Sequence, residues 1–570
     1  MFFPKLAVPT QNRVTVSRFL GYDRRNGGEL GCFEKMENLT SDGFPALTVR
    51  KKRALLTTLN HPNGLTSKDC LIWVDGSTLY INGESTELVL QDNEKQLIGM
   101  GAYLLIWPDK LYINTCDLSD WGSLENRVET SGSTVMWLCR SDGTMWQDYV
   151  TGAEAPEESG LWLDTSVTPY VLKQADDNGW VIVDDVCVMI SATGIGTGFS
   201  AGDGVTISGC DDDEMNGSFV LLSADTDYLV VQGMVEGVIT QTTPICVKRS
   251  VPEMDFVVEC GNRLWGCKYG IVDGRAVNEI YASKLGDFKN WNCFAGLSTD
   301  SYVASRGSDG PFTGAAACLG SVLFFKENCM ERVYPDAAGA HQIVTMACSG
   351  VQKGSHRSLA VVDGTLFYHG MGGICAFDGS LPVTVSQPLG DVRYGNAVAG
   401  CFEGKYYAAL QSEDGNRHLF VYDTRRKLWH REDELQVKYF TQCDGQLYAL
   451  AADGRLWAMQ GDGQEKEAAV SWMAETGELG LNTPENRYLE RLQLCLRPED
   501  GADVCAGISY DEGATWQTQG QMVGQQGRVR ECLLHIRPKR CSHFRLRLQG
   551  TGGCTLYSVS SVYEKGSDGP

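Results

Sequence analysis

The chain has 570 residues and a mass of 62.4 kDa, room for about three or four domains of ~150 residues each. Its 65 glycines exceed the usual share, and 72 acidic against 49 basic side chains give a net charge of −23. This acidity excludes a general nucleic-acid binder, which needs basic surface, and a protein that docks on anionic membranes.

The charge is unevenly distributed along the chain. Residues 1–60 carry a net +5, residues 61–465 carry −27 and residues 466–570 carry −1. The 21 cysteines form no CxxC pair, which favours free buried thiols over a disulfide framework or a zinc site. Because no secretory signal and no long apolar run is found, we expect a protein assembled in the cytoplasm without a membrane anchor.

The first predicted element is a leader over residues 1–55. It combines a Gly-Tyr pair, a MxNLTS segment, an aromatic residue followed by proline, and a basic strand end. The residues that carry this pattern are Gly21, Tyr22, Met36, Asn38, Leu39, Ser41, Pro45, Leu47, Arg50 and Arg53.

This leader resembles that of tailed-bacteriophage virion proteins known as stabilization proteins. Two features depart from their pattern: Phe44 stands where tyrosine is frequent, and Asp23-Arg24-Arg25 follows the Gly-Tyr pair. The resemblance implies a β-propeller like the tail nozzle of short-tailed phages, with inserted and appended β-domains. It further implies a virion tail location and a ring of copies, suggested to be a hexamer, beside a portal or adaptor and other tail proteins. Phage DNA would pass through that ring without specific binding.

Residues 56–116 and 251–465 show short apolar and aromatic strands separated by turn signals, which predicts an all-β fold. A turn glycine followed by such a strand recurs at Gly320, Gly364, Gly404 and Gly445, at spacings of 44, 40 and 41 residues. A period of ~40–45 residues with about four strands is typical of a propeller blade. We therefore predict a β-propeller of six or seven blades.

The segment 117–250 is too long for one blade and predicts a small inserted β-domain. Its tryptophans Trp137, Trp146 and Trp162 are candidates for an exposed aromatic surface that binds a glycan.

Residues 466–570 have longer alternating strands, which predict a C-terminal β-sandwich. A turn within it matches the Asp-box, in which short polar side chains tie down a hairpin, at Ser509, Asp511, Gly513, Thr515 and Trp516. A basic cluster there is a candidate contact patch for an acidic neighbour, formed by Arg528, Arg530, Arg537, Lys539, Arg540, Arg545 and Arg547.

No convincing catalytic, cofactor or metal site emerges from the sequence, so we predict a protein that is not an enzyme and needs no cofactor. The eight histidines show no metal-ligand spacing. The main hypothesis is a structural virion protein, a nozzle or tail-hub component whose acidic loops in residues 61–465 face a DNA conduit. The alternative is a receptor- or glycan-binding propeller at the tail tip. A sialidase-like glycosidase has less support, because the single Asp-box lies in the sandwich and Asp-boxes are structural.

Overall fold

The computed structural model describes residues 11–25, 29–157, 160–177, 179–294, 296–335, 340–461, 465–480, 487–524, 527–536 and 539–565. These residues form β-strands, with three short 3-10 turns at Asp213–Met215, His356–Ser358 and Gln387–Leu389 and no α-helix among them. The predicted all-β class is confirmed. In this described part of the chain no helix has the length and apolarity that crossing a bilayer requires.

Seven antiparallel sheets form the blades of a propeller within the described residues, six of them with four strands and one with five. In each blade the strands are given from the axis outwards. Blade 1 contains Pro62–Lys68, Cys70–Asp75, Thr78–Ile81 and Glu84–Val89, and blade 2 contains Gln96–Met100, Tyr103–Trp107, Leu111–Asn114 and Trp121–Ser123. Blade 3 contains Phe256–Glu259, Leu264–Val272, Arg275–Ala282 and Tyr302–Ser305.

Blade 4 contains Gly314–Cys318, Ser321–Phe325, Cys329–Pro335 and His341–Ala347. Blade 5 contains Ala360–Val362, Thr365–Gly370, Gly373–Phe377 and Val383–Thr384, and blade 6 contains Tyr394–Phe402, Lys405–Ser412, Arg417–Asp423 and Leu428–Arg431.

Blade 7 joins the two ends of the propeller sequence. Its inner strands are Val437–Cys443, Gln446–Ala451 and Arg455–Ala458, and its fourth strand is Ala54–Thr58 from the end of the leader. Glu465–Lys466 adds a short fifth strand. The first strands of neighbouring blades contact each other around the ring, through the turn His356–Ser358 between blades 4 and 5, and blade 7 contacts blade 1. The ring is therefore closed, with seven blades.

The recurring glycines mark one particular turn of the blade. Gly320, Gly364, Gly404 and Gly445 all lie between the first and second strands and have φ between +66° and +81°. The residue before each of them also has a positive φ, as two-residue hairpins of the I′ type require. The 40–45-residue period thus reflects a repeated geometric requirement for glycine.

The inserted domain leaves the propeller between blades 2 and 3. Its larger sheet has the strand order Asn126–Glu129, Cys246–Arg249, Gly204–Ser208, Gly217–Asp225, Tyr228–Gln232, Cys187–Ser191, Thr134–Cys139 and Ile239–Gln241. A smaller sheet contains Tyr149–Gly152, Leu161–Asp164, Val171–Asp176 and Gly179–Ile182. The predicted start at residue 117 places Trp121–Ser123 in the insertion, but this strand pairs with Leu111–Asn114 and completes blade 2.

Two sheets form the C-terminal sandwich, and the leader supplies strands to both. One sheet contains Leu39–Thr40, Leu47–Val49, Cys554–Lys565, Arg487–Pro498 and Arg530–His535, with Gln11–Val16 and Arg540–Cys541 at its edges. The other contains Lys35–Glu37, Ser471–Glu475, Arg545–Thr551, Asp503–Ser509 and Gln517–Val523. A short parallel pair, Gly21–Tyr22 with Cys32–Phe33, lies between this sandwich and blade 6. The leader is thus part of the sandwich and not a separate arm.

One hydrophobic core unites the leader, the sandwich and blades 5 and 6. Met36 and Leu39 of the leader are buried in it together with Trp429 of blade 6 and Leu548 of the sandwich. In the strand Arg545–Thr551 buried leucines alternate with arginines, as expected for a strand with one face in a core. This shared core fixes the leader against the propeller.

Candidate functional site

A cleft on the propeller lies between blades 5 and 6. A cavity of about 500 Å³ and an adjoining one of about 590 Å³ share Met371, Arg393 and Tyr394 as lining residues. The loops that line it connect the second and third strands of each blade, or lead from one blade to the next. We call this elongated cleft the blade 5–6 groove.

Glycines allow the loops of the groove to pack closely. Gly373 has φ +115°, and a Cβ there would lie 2.2 Å from the Ser386 hydroxyl oxygen. That hydroxyl accepts a hydrogen bond from the Ile374 N–H at 2.9 Å, which ties the loop after blade 5 to the blade. The leader reaches the same loop, because the Arg24 N–H donates to the Pro388 carbonyl at 3.0 Å.

His369 lies at the bottom of the groove. Its side chain is buried, its backbone N–H donates to the Ser358 hydroxyl at 2.9 Å, and its Nδ1 has no hydrogen-bond partner among the described residues. Burial lowers the pKa of His369 to about 4, so the imidazole is neutral at pH 7. Tyr394, half-buried in the wall, makes edge contacts with the rings of His418 and Phe420.

The rim of the groove is polar and exposed. Arg25 comes from the leader, where its guanidinium pairs with Asp23 at 3.1 Å, while Asp391 and Arg393 come from the loop after blade 5. The Arg393 guanidinium lies 4.0 Å from the Glu413 carboxylate, a contact between two exposed side chains that contributes little. The groove therefore combines exposed arginines, an acidic side chain and a neutral buried imidazole.

The axis of the propeller is bridged at the same face. The Arg357 guanidinium, between blades 4 and 5, pairs with Glu94, between blades 1 and 2, at 2.8 Å and contacts the Tyr439 hydroxyl of blade 7 at 3.0 Å. His356 lies against Phe256 of blade 3, with ring centroids 5.4 Å apart. Because these contacts join distant blades, the segment around Arg357 closes the axis.

The described first strands around this axis carry few charges. Glu259 is their only acidic residue, beside Lys68 and Lys438. An acidic channel along the axis of one propeller is therefore not what these strands form.

The residues of the leader motif contact blade 6 and the sandwich. Arg53 donates to Glu432 at 2.7 Å and to Asp433 at 2.6 Å, and Arg50 pairs with Glu467 at 2.7 Å. Other members make further contacts: the Ser41 hydroxyl with Asp423, the Asn38 amide with the Ser471 carbonyl, and the Pro45 carbonyl with the Phe19 N–H. The apolar ring and side chains of the motif are buried: Tyr22, Met36, Leu39 and Leu47.

The structure shows why position 21, the first of the Gly-Tyr pair, requires glycine. It has φ +80°, and a Cβ there would lie 2.3 Å from the Trp429 carbonyl oxygen. A side chain at this position is excluded by both the backbone conformation and the space. The motif residues thus have an internal structural role, and they lie outside the groove.

The Asp-box lies in the sandwich between Asp503–Ser509 and Gln517–Val523. Asp511 accepts a hydrogen bond from the Thr515 N–H at 2.8 Å, and the Ser509 hydroxyl donates to Asp511 at 2.7 Å. Gly513 has φ +92°, and its carbonyl accepts a bond from the Trp516 indole N–H. Hydrogen bonds from Thr515 lower the pKa of Asp511 to about 2. The polar side chains of the turn therefore hydrogen-bond within the turn itself.

The basic cluster of the sandwich is not one exposed patch. Arg545 pairs with Glu478 and Glu34, and Arg547 pairs with Glu475 at 2.6 Å and stacks on the Trp516 ring. Both arginines are drawn into the chain because the carboxylates opposite them are buried or nearly so. Arg528, Lys539 and Arg540 are exposed, Arg530 is half-buried, and Arg537 lies outside the described residues.

The tryptophans of the insertion do not form an exposed aromatic surface. Trp146 and Trp162 are buried, and their indole N–H groups donate to the carbonyls of Asp185 and Gly152. Trp137 is half-buried. Each ring covers its own sheet, so the prediction of a glycan-binding surface at these residues is wrong.

No motif or spacing in the sequence indicates the blade 5–6 groove. Its residues come from the leader, from two blades and from the loop between them, and no spacing links them. One signal was present: Asp23-Arg24-Arg25, the departure from the family pattern, is the part of the leader that reaches the groove.

Comparisons with known proteins place the fold in a wider context. No protein-family model matches the sequence, and no curated protein does. Solved structures that match include the exo-β-1,3-galactanase of Phanerochaete chrysosporium, with 9% identity over 54% of this chain and 94% of that one at a TM-score of 0.22. The phage phi92 endosialidase matches with 9% identity over 75% of this chain and 64% of that one, at a TM-score of 0.23. A glycoside hydrolase family 43 arabinoxylan arabinofuranohydrolase from Bacillus subtilis matches with 8% identity over 96% of each chain, at a TM-score of 0.16.

These matches correct one prediction. The galactanase, the endosialidase and the arabinofuranohydrolase are enzymes, which contradicts the prediction that this protein is not an enzyme. That prediction is withdrawn. At such low TM-scores the matches transfer no catalytic residue, substrate or reaction to this chain.

Proposed function

We propose that the protein is a glycan-binding β-propeller and that the blade 5–6 groove is its binding site. The observation that carries the proposal is the pair of adjoining cavities that share Met371, Arg393 and Tyr394. Because the two cavities adjoin, their combined volume can hold more than one sugar ring. Volumes of this order are typical of small-molecule sites.

The lining of the groove offers apolar side chains for the face of a sugar ring and polar side chains for its hydroxyl groups. Met371 is 60% exposed and offers an apolar surface to a ring face, beside Ile374 and Leu410. Polar side chains that can exchange hydrogen bonds with hydroxyl groups surround it: Thr384, Ser386, Gln387, Asp391, Asn396 and Gln411. A mixed apolar and polar lining of this kind fixes the orientation of a ligand as well as its affinity.

Calorimetric titration with oligosaccharides, preceded by a glycan-array screen to choose them, tests the proposal. We expect Met371→Ala to weaken binding about tenfold, because it removes a central contact from the groove. Leu381→Ala is the matched control, since Leu381 is 62% exposed in the loop between the third and fourth strands of the same blade. Product analysis of the same mixtures reports any turnover. Equal effects of the two substitutions, or no binding by the native protein, would refute a site in the groove.

A second candidate function is that of a virion tail component assembled as a ring of copies, as the leader resemblance implies. The observation that favours assembly is one face of the small sheet in the inserted domain. Val150 and Ile182 are both more than half exposed there and lie in one row across the sheet with Trp162 and Lys173. Apolar side chains grouped on one sheet are typical of a surface that is covered in an assembly. A DNA conduit would then run through the centre of the ring of copies, since Arg357 closes the axis of each propeller.

Mass photometry of the native protein and of Ile182→Glu tests this second candidate. We expect the native protein to form a ring, with six copies suggested by the resemblance, and the substitution to release monomers. A native protein that stays monomeric at all concentrations would contradict it.

A further inference from the structure

We infer that the blade 5–6 groove selects acidic glycans, those bearing carboxylate or sulfate groups, through arginines of the leader and of the loop after blade 5. This inference rests on the proposed function and specifies the class of its ligand. Arg25 of the leader and Arg393 of the loop line the groove, and Arg24 packs against its wall at Gly390. The carboxylates of Asp23, Asp391 and Glu413 lie beside them, so the charges of the groove are balanced, whereas residues 61–465 as a whole carry a net −27.

The two parts of the rim are held together by direct contacts. Besides the backbone hydrogen bond from Arg24 to Pro388, the Arg24 side chain packs on Gly390, where a Cβ would lie 3.3 Å from its Cδ. Gly390 itself lines the groove. The leader is anchored by the shared core, so its arginines are positioned by the fold and not by a free arm.

The charge of Arg24 acts on the wall of the groove. Burial raises the pKa of Tyr394 to about 12, while the positive charges of Arg24 and Arg431 oppose that rise. A guanidinium whose charge reaches the Tyr394 hydroxyl also reaches a ligand lying against that side chain. Because the Arg24 side chain also packs on Gly390 of the groove wall, its guanidinium is near enough to attract an anionic group bound there.

The arginines remain available for an anion. Arg24 is exposed, and among the described residues its guanidinium has no ion-pair partner. The Arg393 side chain is 83% exposed and is 4.0 Å from its nearest carboxylate, that of Glu413. Arg25 is the exception, since it is paired with Asp23. Two planar guanidinium groups thus face solvent at the rim, and such groups bind carboxylates and sulfates with parallel hydrogen bonds.

Titration of three oligosaccharides of similar length tests the inference: an oligogalacturonate, a sulfated dextran oligosaccharide and its unsulfated parent. We expect the two acidic probes to bind and the neutral parent to bind at least about tenfold more weakly, with affinity falling as salt is raised. Preference for the first or the second acidic probe identifies carboxylate or sulfate as the recognised group.

Substitutions separate the groove from general charge effects. We expect Arg24→Ala and Arg393→Ala each to weaken binding of the acidic probe about tenfold, and Arg393→Lys to restore part of the loss. Arg528→Ala is the control, because it removes one exposed arginine from the sandwich with the same change in net charge. Circular dichroism verifies that each variant is folded.

The remaining outcomes distinguish this inference from the proposed function. Equal binding of neutral and acidic probes, unchanged by Arg24→Ala and Arg393→Ala, would overturn the acidic selectivity and leave glycan binding in place. Loss of binding in Arg528→Ala to the same extent would also overturn it, since the attraction would then come from net charge. Failure of every oligosaccharide in the glycan-array screen would overturn the inference together with the proposed function.

Discussion

Arg357 and Glu94 form an ion pair at 2.8 Å although they belong to connections on distant sides of the seven-bladed ring. The Arg357 guanidinium also lies over the Tyr439 ring, 4.2 Å from its centroid, and Lys438 adds a second cation on Glu94 at 3.0 Å. The contact therefore ties three parts of the ring together at the face that carries the groove. It gives the propeller an internal brace in place of an open axis.

The brace makes a modest contribution to stability. Because Glu94 is half exposed, the ion pair is expected to contribute about 0.2–1 kcal/mol, and Arg357→Ala to lower the free energy of unfolding by about 1 kcal/mol once the contact with Tyr439 is included. A double-mutant cycle with Glu94→Gln, measured by urea denaturation, checks this. Strictly additive effects of the two substitutions would show that the pair does not act as a brace.

The ion network of Arg53 is expected to contribute more. Arg53 is 2% exposed and lies between Glu432 and Asp433, so Arg53→Met leaves two carboxylates without their main partner. Breaking a buried pair in this way costs about 3–5 kcal/mol. Denaturation midpoints measure the loss, and Arg425→Ala, which breaks an exposed pair with Asp363, is the control expected to cost under about 1 kcal/mol. Similar losses in both variants would contradict the structural role of the motif arginine.

Gly21→Ala tests the docking of the leader. The added methyl group would collide with the Trp429 carbonyl and force a residue with φ +80° into a strained conformation. We expect the leader to detach and the sandwich edge formed by Gln11–Val16 to become accessible to proteases. Limited proteolysis followed by mass spectrometry reports the cleavage sites, with Gly364→Ala, in a turn where a Cβ meets nothing within 4 Å, as the comparison for φ strain alone. Equal protease resistance of the two variants would argue against this role of Gly21.

Four histidines are expected to make the fold sensitive to mild acid. Burial lowers the pKa to about 4 in His356, His369 and His418 and to about 3 in His430. The unfolded chain binds these protons near pH 6.5, whereas the native state does so only near pH 3–4, so their contribution is fully present above pH 6.5 and declines as the pH falls below it. Thermal unfolding between pH 8 and 4.5 measures the decline, above the range in which most carboxylates titrate.

The variant His430→Leu isolates one of these groups. Neither ring nitrogen of His430 has a partner among the described residues, so the substitution removes a titrating group without breaking a hydrogen bond. We expect the melting temperature of this variant to depend less steeply on pH between 6.5 and 4.5. An unchanged slope would show that His430 does not titrate on unfolding.

The propeller could be predicted from the sequence because its repeat comes from a turn that requires glycine. Gly320, Gly364, Gly404 and Gly445 occupy the same turn in successive blades, and their period therefore follows the blade. Gly76 shows the limit of this approach, since it fits the same local pattern but lies between the second and third strands of blade 1. Local turn chemistry identifies hairpins without saying which hairpin of a blade each one forms.

Long-range pairing explains what the sequence analysis missed. The strands of the leader join a sandwich whose other strands begin about 430 residues later, as in the pairing of Met36 with Ala474. The groove depends on the same docking, because Arg24 meets Gly390 only when the leader lies against blade 6. No periodicity or spacing encodes such a contact. The same holds for exposure: the charge of Arg545 and the size of Trp162 do not reveal whether these two side chains are exposed.

A structure of the protein with a bound acidic oligosaccharide is the decisive test of glycan binding in the groove. We expect density for the sugar in the blade 5–6 groove, with its anionic group beside Arg24 and Arg393 and a ring against Met371 and Tyr394. Density for the sugar at another surface, such as the inserted domain or the opposite face of the propeller, with the groove empty, would contradict it.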